Sequence, residues 1–139
     1  MTDPECVFCR IIAGQIPAKV LFENEEAIAF LDIAPFEPGH ALVVPKMHAA
    51  LFTELPDSVL SHLMPLVKRV ASLLLERLPC DGFNILQNNG RCATQVVPHV
   101  HFHVVPRWNG RAINWISGAY ASAEEMESVY RKLTAAAGV

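Results

Sequence analysis

The sequence predicts an α+β fold with an antiparallel sheet of about five strands and two main helices, on three observations. Short apolar runs follow one another through polar turns, as hairpin-connected strands do. Two stretches of helical periodicity stand apart from those runs instead of alternating with them. The 139 residues, 52% of them apolar, fit one domain with a real core, and no repeat, low-complexity tract or linker divides them.

Residues 6–13 read as a short helix carrying Cys6 and Cys9. Lys19-Val20-Leu21-Phe22-Glu23 and Ala27-Ile28-Ala29-Phe30-Leu31 are strand-like, joined by the turn Asn24-Glu25-Glu26. Residues 32–39 hold two prolines and a glycine and form a loop, after which Ala41-Leu42-Val43-Val44-Pro45 is a further strand. Asp57 or Ser58 caps the first long helix, whose buried stripe is Leu60, Leu63, Met64, Val67, Val70, Ala71, Leu74 and Leu78. Pro65 interrupts that stripe and predicts a kink or a late start. Phe83 to Gln87 is a strand, Asn88 to Arg91 a turn, and Val100 to Val105 the last strand. Ser122 caps a final helix reaching about Ala136.

Composition restricts function. A net charge of −3 gives no general attraction to nucleic acid or anionic lipid, so recognition of phosphate must be local. No run approaches the ~18 uninterrupted apolar residues of a membrane span, and Met1 to Glu5 lacks the basic and apolar regions of a secretory signal. The expected address is the cytoplasm, with no nucleic-acid or membrane partner. There, a Cys-x-x-Cys pair reads as a metal or redox site, while Cys80 and Cys92 read as small packing residues.

The chemistry concentrates in His99-Val100-His101-Phe102-His103. On a strand, the three histidines share one face, with Cα atoms roughly 6.5 Å apart, and the valines and phenylalanine share the other. An apolar backing holds such a row rigidly, as a precise site requires. Three readings stand: incidental surface histidines, a metal site from histidines at i and i+2, or covalent catalysis at phosphorus. Imidazole suits the last because its ordinary pKa, about 6.5, leaves a nucleophilic lone pair near neutral pH.

The run from His99 to Val105 resembles the histidine-triad (HIT) motif, His-φ-His-φ-His-φ-φ with φ apolar. Cys6-Val7-Phe8-Cys9-Arg10-Ile11-Ile12-Ala13-Gly14, Phe30-Leu31-Asp32-Ile33, Pro38-Gly39-His40 through Lys46, and Asn88-Asn89-Gly90 resemble blocks of bacterial HIT proteins in the same order. The resemblance covers nearly the whole chain, 1–139, as a single HIT domain.

That resemblance implies a nucleotide hydrolase or transferase acting at the α-phosphate of purine nucleotide conjugates, either phosphoramidates or dinucleoside polyphosphates. His101 would be the nucleophile, forming a nucleotidyl-histidine. The His99 carbonyl would hold its tautomer, His103 would donate to the phosphate, and His40 would support the triad. Asp32 would bind the ribose hydroxyls, and Ile11, Phe22 and Ile33 would line the base pocket. Asn88 would contact phosphate, and Gln95 would lie near the leaving group. Some relatives hold structural zinc through four residues found here as Cys6, Cys9, His48 and His99. Compact members are homodimers sharing a sheet.

Two positions depart from the pattern: Thr94 replaces a usual glycine, and Val96 replaces a usual Ser or Thr donor, which puts leaving-group handling in question. The residues Arg107 to Arg111 and the last helix are expected to shape that side. The departures leave room for a zinc-stabilised nucleotide-binding or scaffold protein with little turnover. A metallohydrolase with an ion on His101 and His103 is the other rival, and no carboxylate near the triad in sequence supports it.

Overall fold

The computed structural model describes residues 3–135. Five strands, β1 (Val20–Glu23), β2 (Ala27–Leu31), β3 (Ala41–Pro45), β4 (Gly82–Leu86) and β5 (Phe102–Arg107), make one antiparallel sheet in the order β1-β2-β3-β5-β4. Three helices accompany it: α1 (Val7–Ile12), α2 (Asp57–Arg77) and α3 (Ala123–Thr134). The α+β class and the two main helices are as the sequence predicts.

Alternation along the strands builds two packed faces. Ala27, Ala29, Leu31, Ala41, Val43, Phe102 and Val104 point toward α2 and α3, where Leu63, Leu66, Val67, Val70, Leu74, Val129 and Leu133 complete the main core. Ile28, Phe30, Leu42 and Val44 point the other way and are covered by Cys6, Phe8 and Cys9 at the short helix α1. β2 and β3 are therefore buried on both sides, which is why they read as continuous apolar runs.

Local signals account for most of the elements. The Asn24 carboxamide oxygen accepts from the Glu26 and Ala27 N–H groups at 2.8 and 2.9 Å, closing the β1–β2 turn. Ser122 Oγ accepts from the Glu125 N–H, and Glu124 and Glu125 open α3 while Arg131 and Lys132 close it, matching the helix dipole. α3 ends at Thr134; the expected end at Ala136 lies outside the described residues.

Five expectations are corrected. α2 begins after Pro56, with no side-chain cap from Asp57 or Ser58, and it runs unbroken across Pro65, with no late start. Pro56 has the fixed φ that leads into a helix, and the packed stripe outweighs the one hydrogen bond that Pro65 removes. Met64 of that stripe is exposed, whereas Leu66 is buried. Cys92 is exposed, so only Cys80 is a packing residue. Finally, β5 starts at Phe102, not Val100. Ladder pairing with β3 stops at Val43↔Phe102, the Val100 N–H turns to the Ala49 carbonyl at 2.8 Å, and Pro45 has no N–H to extend the pairing.

The loop between β2 and β3 is drawn closed by the Asp32 N–H on the His40 carbonyl, 2.9 Å. Gly39 makes this possible: its φ is +100°, and a Cβ there would lie 2.6 Å from Leu78 Cδ1. The closure places Asp32 and His40 side by side at one end of the sheet.

Candidate active site and metal cluster

The histidine run divides between two sites. His101 and His103 line a cavity of about 700 Å³ on the α1 side of the sheet, together with Phe8, Ile11, Asp32, Ile33, Asn88 and Trp115. The His99 ring points instead toward Cys6, Cys9 and His48.

Hydrogen bonds define the tautomers at the cavity. His101 Nδ1 lies 2.7 Å from the His99 carbonyl, an oxygen that only accepts, so Nδ1 carries the proton and Nε2 the lone pair. His40 Nδ1 accepts from the Phe36 N–H at 3.0 Å, so the His40 proton is on Nε2. That proton is donated to His103 Nδ1, 2.9 Å away, and His103 must then carry its own proton on Nε2. Asp32, 3.6 Å from His40 Nε2, favours the same arrangement. The result is one ring with a free lone pair beside another with a free N–H, their centroids 4.8 Å apart.

Burial keeps these rings neutral. It lowers the His40 pKa to about 3, helped by the positive potential of His103, and lowers that of His103 to about 4, helped by His101. His101 is also lowered by burial, opposed by its bond to the His99 carbonyl and by Asp32. Burial raises the Asp32 pKa, while the Ala34 N–H and His101 lower it. Asp32, His40 and His103 bring three potential ligand atoms together. However, both ring nitrogens of His40 already serve neighbouring groups, so this cluster does not offer a metal three free donors.

The second cluster has the opposite character. Cys6 Sγ lies 3.3 Å from His99 Nδ1, Cys9 Sγ lies 3.4 Å from His48 Nδ1 and 3.6 Å from His99 Nδ1, and the two imidazole nitrogens are 3.1 Å apart. Ligands held tetrahedrally at ordinary zinc distances sit about 3.3 Å apart for two nitrogens and about 3.5 Å for nitrogen and sulfur. The four atoms therefore fit zinc. The His99 Nε2–H donates to the Pro45 carbonyl at 2.8 Å, which leaves the Nδ1 lone pair facing the cluster. The Asp3 N–H points at Cys9 Sγ at 3.3 Å and the Cys9 N–H at Cys6 Sγ at 3.5 Å, both suited to thiolates. Burial lowers the His99 pKa to about 4 and raises that of Cys6.

A sequence model of the HIT domain matches residues 13–110. The chain belongs to the HIT family. It is 43% identical over 132 residues to an adenosine 5′-monophosphoramidase of Schizosaccharomyces pombe, covering 93% of this chain and 96% of that protein. An adenylylsulfatase of Arabidopsis thaliana is 38% identical over 103 residues, 74% of this chain and 52% of that protein. The fold is that of a zinc-bound HIT family protein from Mycobacterium smegmatis, with a TM-score of 0.85 and 38% identity over 94% of this chain and 91% of that one.

Of the residues expected from the HIT resemblance, His101, His103, Asp32, Asn88, Ile11 and Ile33 line the cavity, and His40 lies directly behind it. Two are placed elsewhere. Phe22 packs toward α2, with the Arg69 guanidinium 4.2 Å over its ring. Gln95 is buried as a brace, accepting from the Gly90 N–H and donating to the Ala50 carbonyl, both at 2.7 Å. None of Arg107 to Arg111 lines the cavity, but the Arg107 guanidinium lies 4.7 Å over the ring of Trp115, which does. Trp108 stacks on Arg111 instead, 4.4 Å from its guanidinium. Phe8 was not anticipated; it stands edge-on to both His99 and His101, between the two sites. Its place inside Cys-x-x-Cys was the only signal for it.

Both departures from the HIT pattern are visible in the backbone and at the wall. Thr94 adopts φ +69°, a left-handed conformation costly for a β-branched residue. Val96, 89% exposed, contributes an apolar surface to the cavity rim.

Proposed function

We propose that this chain is a nucleotide hydrolase or nucleotidyl transferase that cleaves purine nucleotide conjugates at the α-phosphorus through His101. The observation that carries this reading is the tautomer pair: a lone pair on His101 Nε2 beside an N–H on His103 Nε2, each dictated by a bond on the far side of its ring. In the first step the lone pair attacks phosphorus, the bond to the leaving group breaks, and the leaving group departs with the electron pair and takes up a proton. His103 donates to the phosphate oxygens as charge builds there. Water then displaces the nucleotide from His101 and restores the free ring. Asp32 accepts from the ribose hydroxyls, and Ile11 and Ile33 flank the base.

The relatives named as a phosphoramidase and an adenylylsulfatase support this class of substrate. Among the described residues lining the cavity there is no Lys or Arg, which favours a conjugate whose charge resides mainly on the α-phosphate. Zinc is proposed on Cys6, Cys9, His48 and His99, where it would tie α1 to the segment after β3; four protein ligands leave no position open for substrate. A homodimer is proposed along β4, an edge strand whose Phe83 and Ile85 are exposed.

The test is turnover of adenosine and guanosine phosphoramidates, dinucleoside polyphosphates and adenylylsulfate, with intact-mass detection of protein carrying one nucleoside monophosphoryl group after a base quench. Stoichiometric nucleotide binding without turnover of any conjugate would replace this reading with that of a binding protein.

A further inference from the structure

The carbonyl that orients His101 belongs to a peptide that no strand holds. Ladder pairing begins one residue after His101, at Phe102. Immediately upstream, the backbone of residues 97–101 is tied, among the described residues, by the His99 N–H to the Val97 carbonyl and the Val100 N–H to the Ala49 carbonyl, each 2.8 Å. Two fully buried side chains add to this: Val100, packed in the main core, and His99, whose ring carries polar restraints as well. Its Nε2–H is bonded to the Pro45 carbonyl, and its Nδ1 sits among Cys6, Cys9 and His48. One residue thus presents its ring to the cluster and its carbonyl to the nucleophile.

We propose that the metal cluster acts on the chemistry through His99: gripping the His99 ring holds its carbonyl in place, and that carbonyl keeps the proton on His101 Nδ1 and the lone pair on Nε2. His99 is a positioning residue, and the cluster is more than a staple for the N-terminal segment. The inference rests on the proposed zinc site and nucleophile. The other arm of the site is independent of the metal, because the His40–His103 pair takes its tautomers from the Phe36 N–H. Loss of the metal should therefore disturb one histidine of the pair and spare the other.

The experiment compares full-length protein loaded with zinc, loaded with the larger cadmium ion, and freed of metal by chelation. Long-range nitrogen–proton NMR reads the tautomer of each imidazole, and steady-state kinetics are measured on a nucleotide phosphoramidate. In folded metal-free protein the Nδ1–H form of His101 should lose population and its Nδ1 proton should exchange faster with water. His40 and His103 should keep their tautomers. With these changes kcat should fall about tenfold while KM stays within about threefold, the scale of losses beyond the immediate metal ligands; zinc added back should restore both. If metal-free protein unfolds, the zinc and cadmium forms decide: the cadmium form should shift the His101 Nδ1 proton and lower kcat. Identical His101 signals across the folded forms would overturn the proposal. A His101 tautomer change in protein that turns over nothing would leave this coupling standing and remove the enzymatic reading instead.

Discussion

The two faces of the sheet receive equivalent alternating residues but very different covers. On one side, the 21-residue α2 and the 12-residue α3 lie across Ala29, Val43, Phe102 and Val104 and bury them in the main core. On the other, the six-residue α1 covers Ile28, Phe30, Leu42 and Val44 but leaves an open space beside Phe30, Leu42 and His103. That space is the cavity, and the join between the short helix and the sheet is the Cys/His cluster. A long amphipathic helix makes a stable face; a short one leaves room for a ligand and needs a local tie to stay in place. Stability and chemistry are therefore separable in this molecule, which substitutions on the two sides can break or sharpen.

The largest separation should come from His101→Ala. Removing the proposed nucleophile should lower kcat by at least about three orders of magnitude, with nucleotide affinity within a few-fold and little change in melting temperature. Near-normal turnover in steady-state assays would refute His101 as the attacking group. The mirror-image change is Leu74→Ala, at a fully buried position under the opposite face. It should cost about 3 kcal/mol in denaturant unfolding through the cavity it leaves, while kcat measured on the folded fraction stays near its original value. A large kcat loss would show that the faces are coupled.

Asp32→Ala should weaken nucleoside monophosphate binding by roughly 1.5–3 kcal/mol, the range for a hydrogen bond to a charged group. Calorimetry with a 2′,3′-dideoxy analogue should show a far smaller difference, and equal losses for the two ligands would place the ribose elsewhere. The smallest effect is expected at Thr94→Gly. Relief of the left-handed backbone, less the added freedom of the unfolded chain, should stabilise the protein by about 1 kcal/mol. Unchanged or reduced thermal stability would mean that Thr94 side-chain contacts outweigh its backbone strain.

Much of the fold was legible because its signals are local. The Asn24 turn, the Ser122 cap and the apolar runs of β2 and β3 depend on neighbours within a few residues. The start of β5 was not, since it is set by Pro45 and Ala49, about fifty residues away in the chain. Phe22 and Gln95 show the same limit within the site. An apolar residue near a cavity strand and a glutamine before the triad match a pattern, but side-chain direction belongs to the assembled sheet. Phe22 lies on its far side, and Gln95 is committed to two backbone partners.

By itself the sequence determined which chemistry was available: three alternating histidines, a paired cysteine, and a carboxylate and a further histidine at the two ends of one loop. Those choices follow from residue type and short-range spacing, both carried by the chain in any conformation. Only the tertiary structure decided how the chemistry was divided. It sent His99 to the cysteines and His101 and His103 to the cavity. It also put a backbone N–H from Phe36 behind His40, so that His40 and His103 each carry the proton on Nε2. A tautomer is chosen by whatever lies across from each ring nitrogen, and those partners come from segments that meet only when the sheet closes.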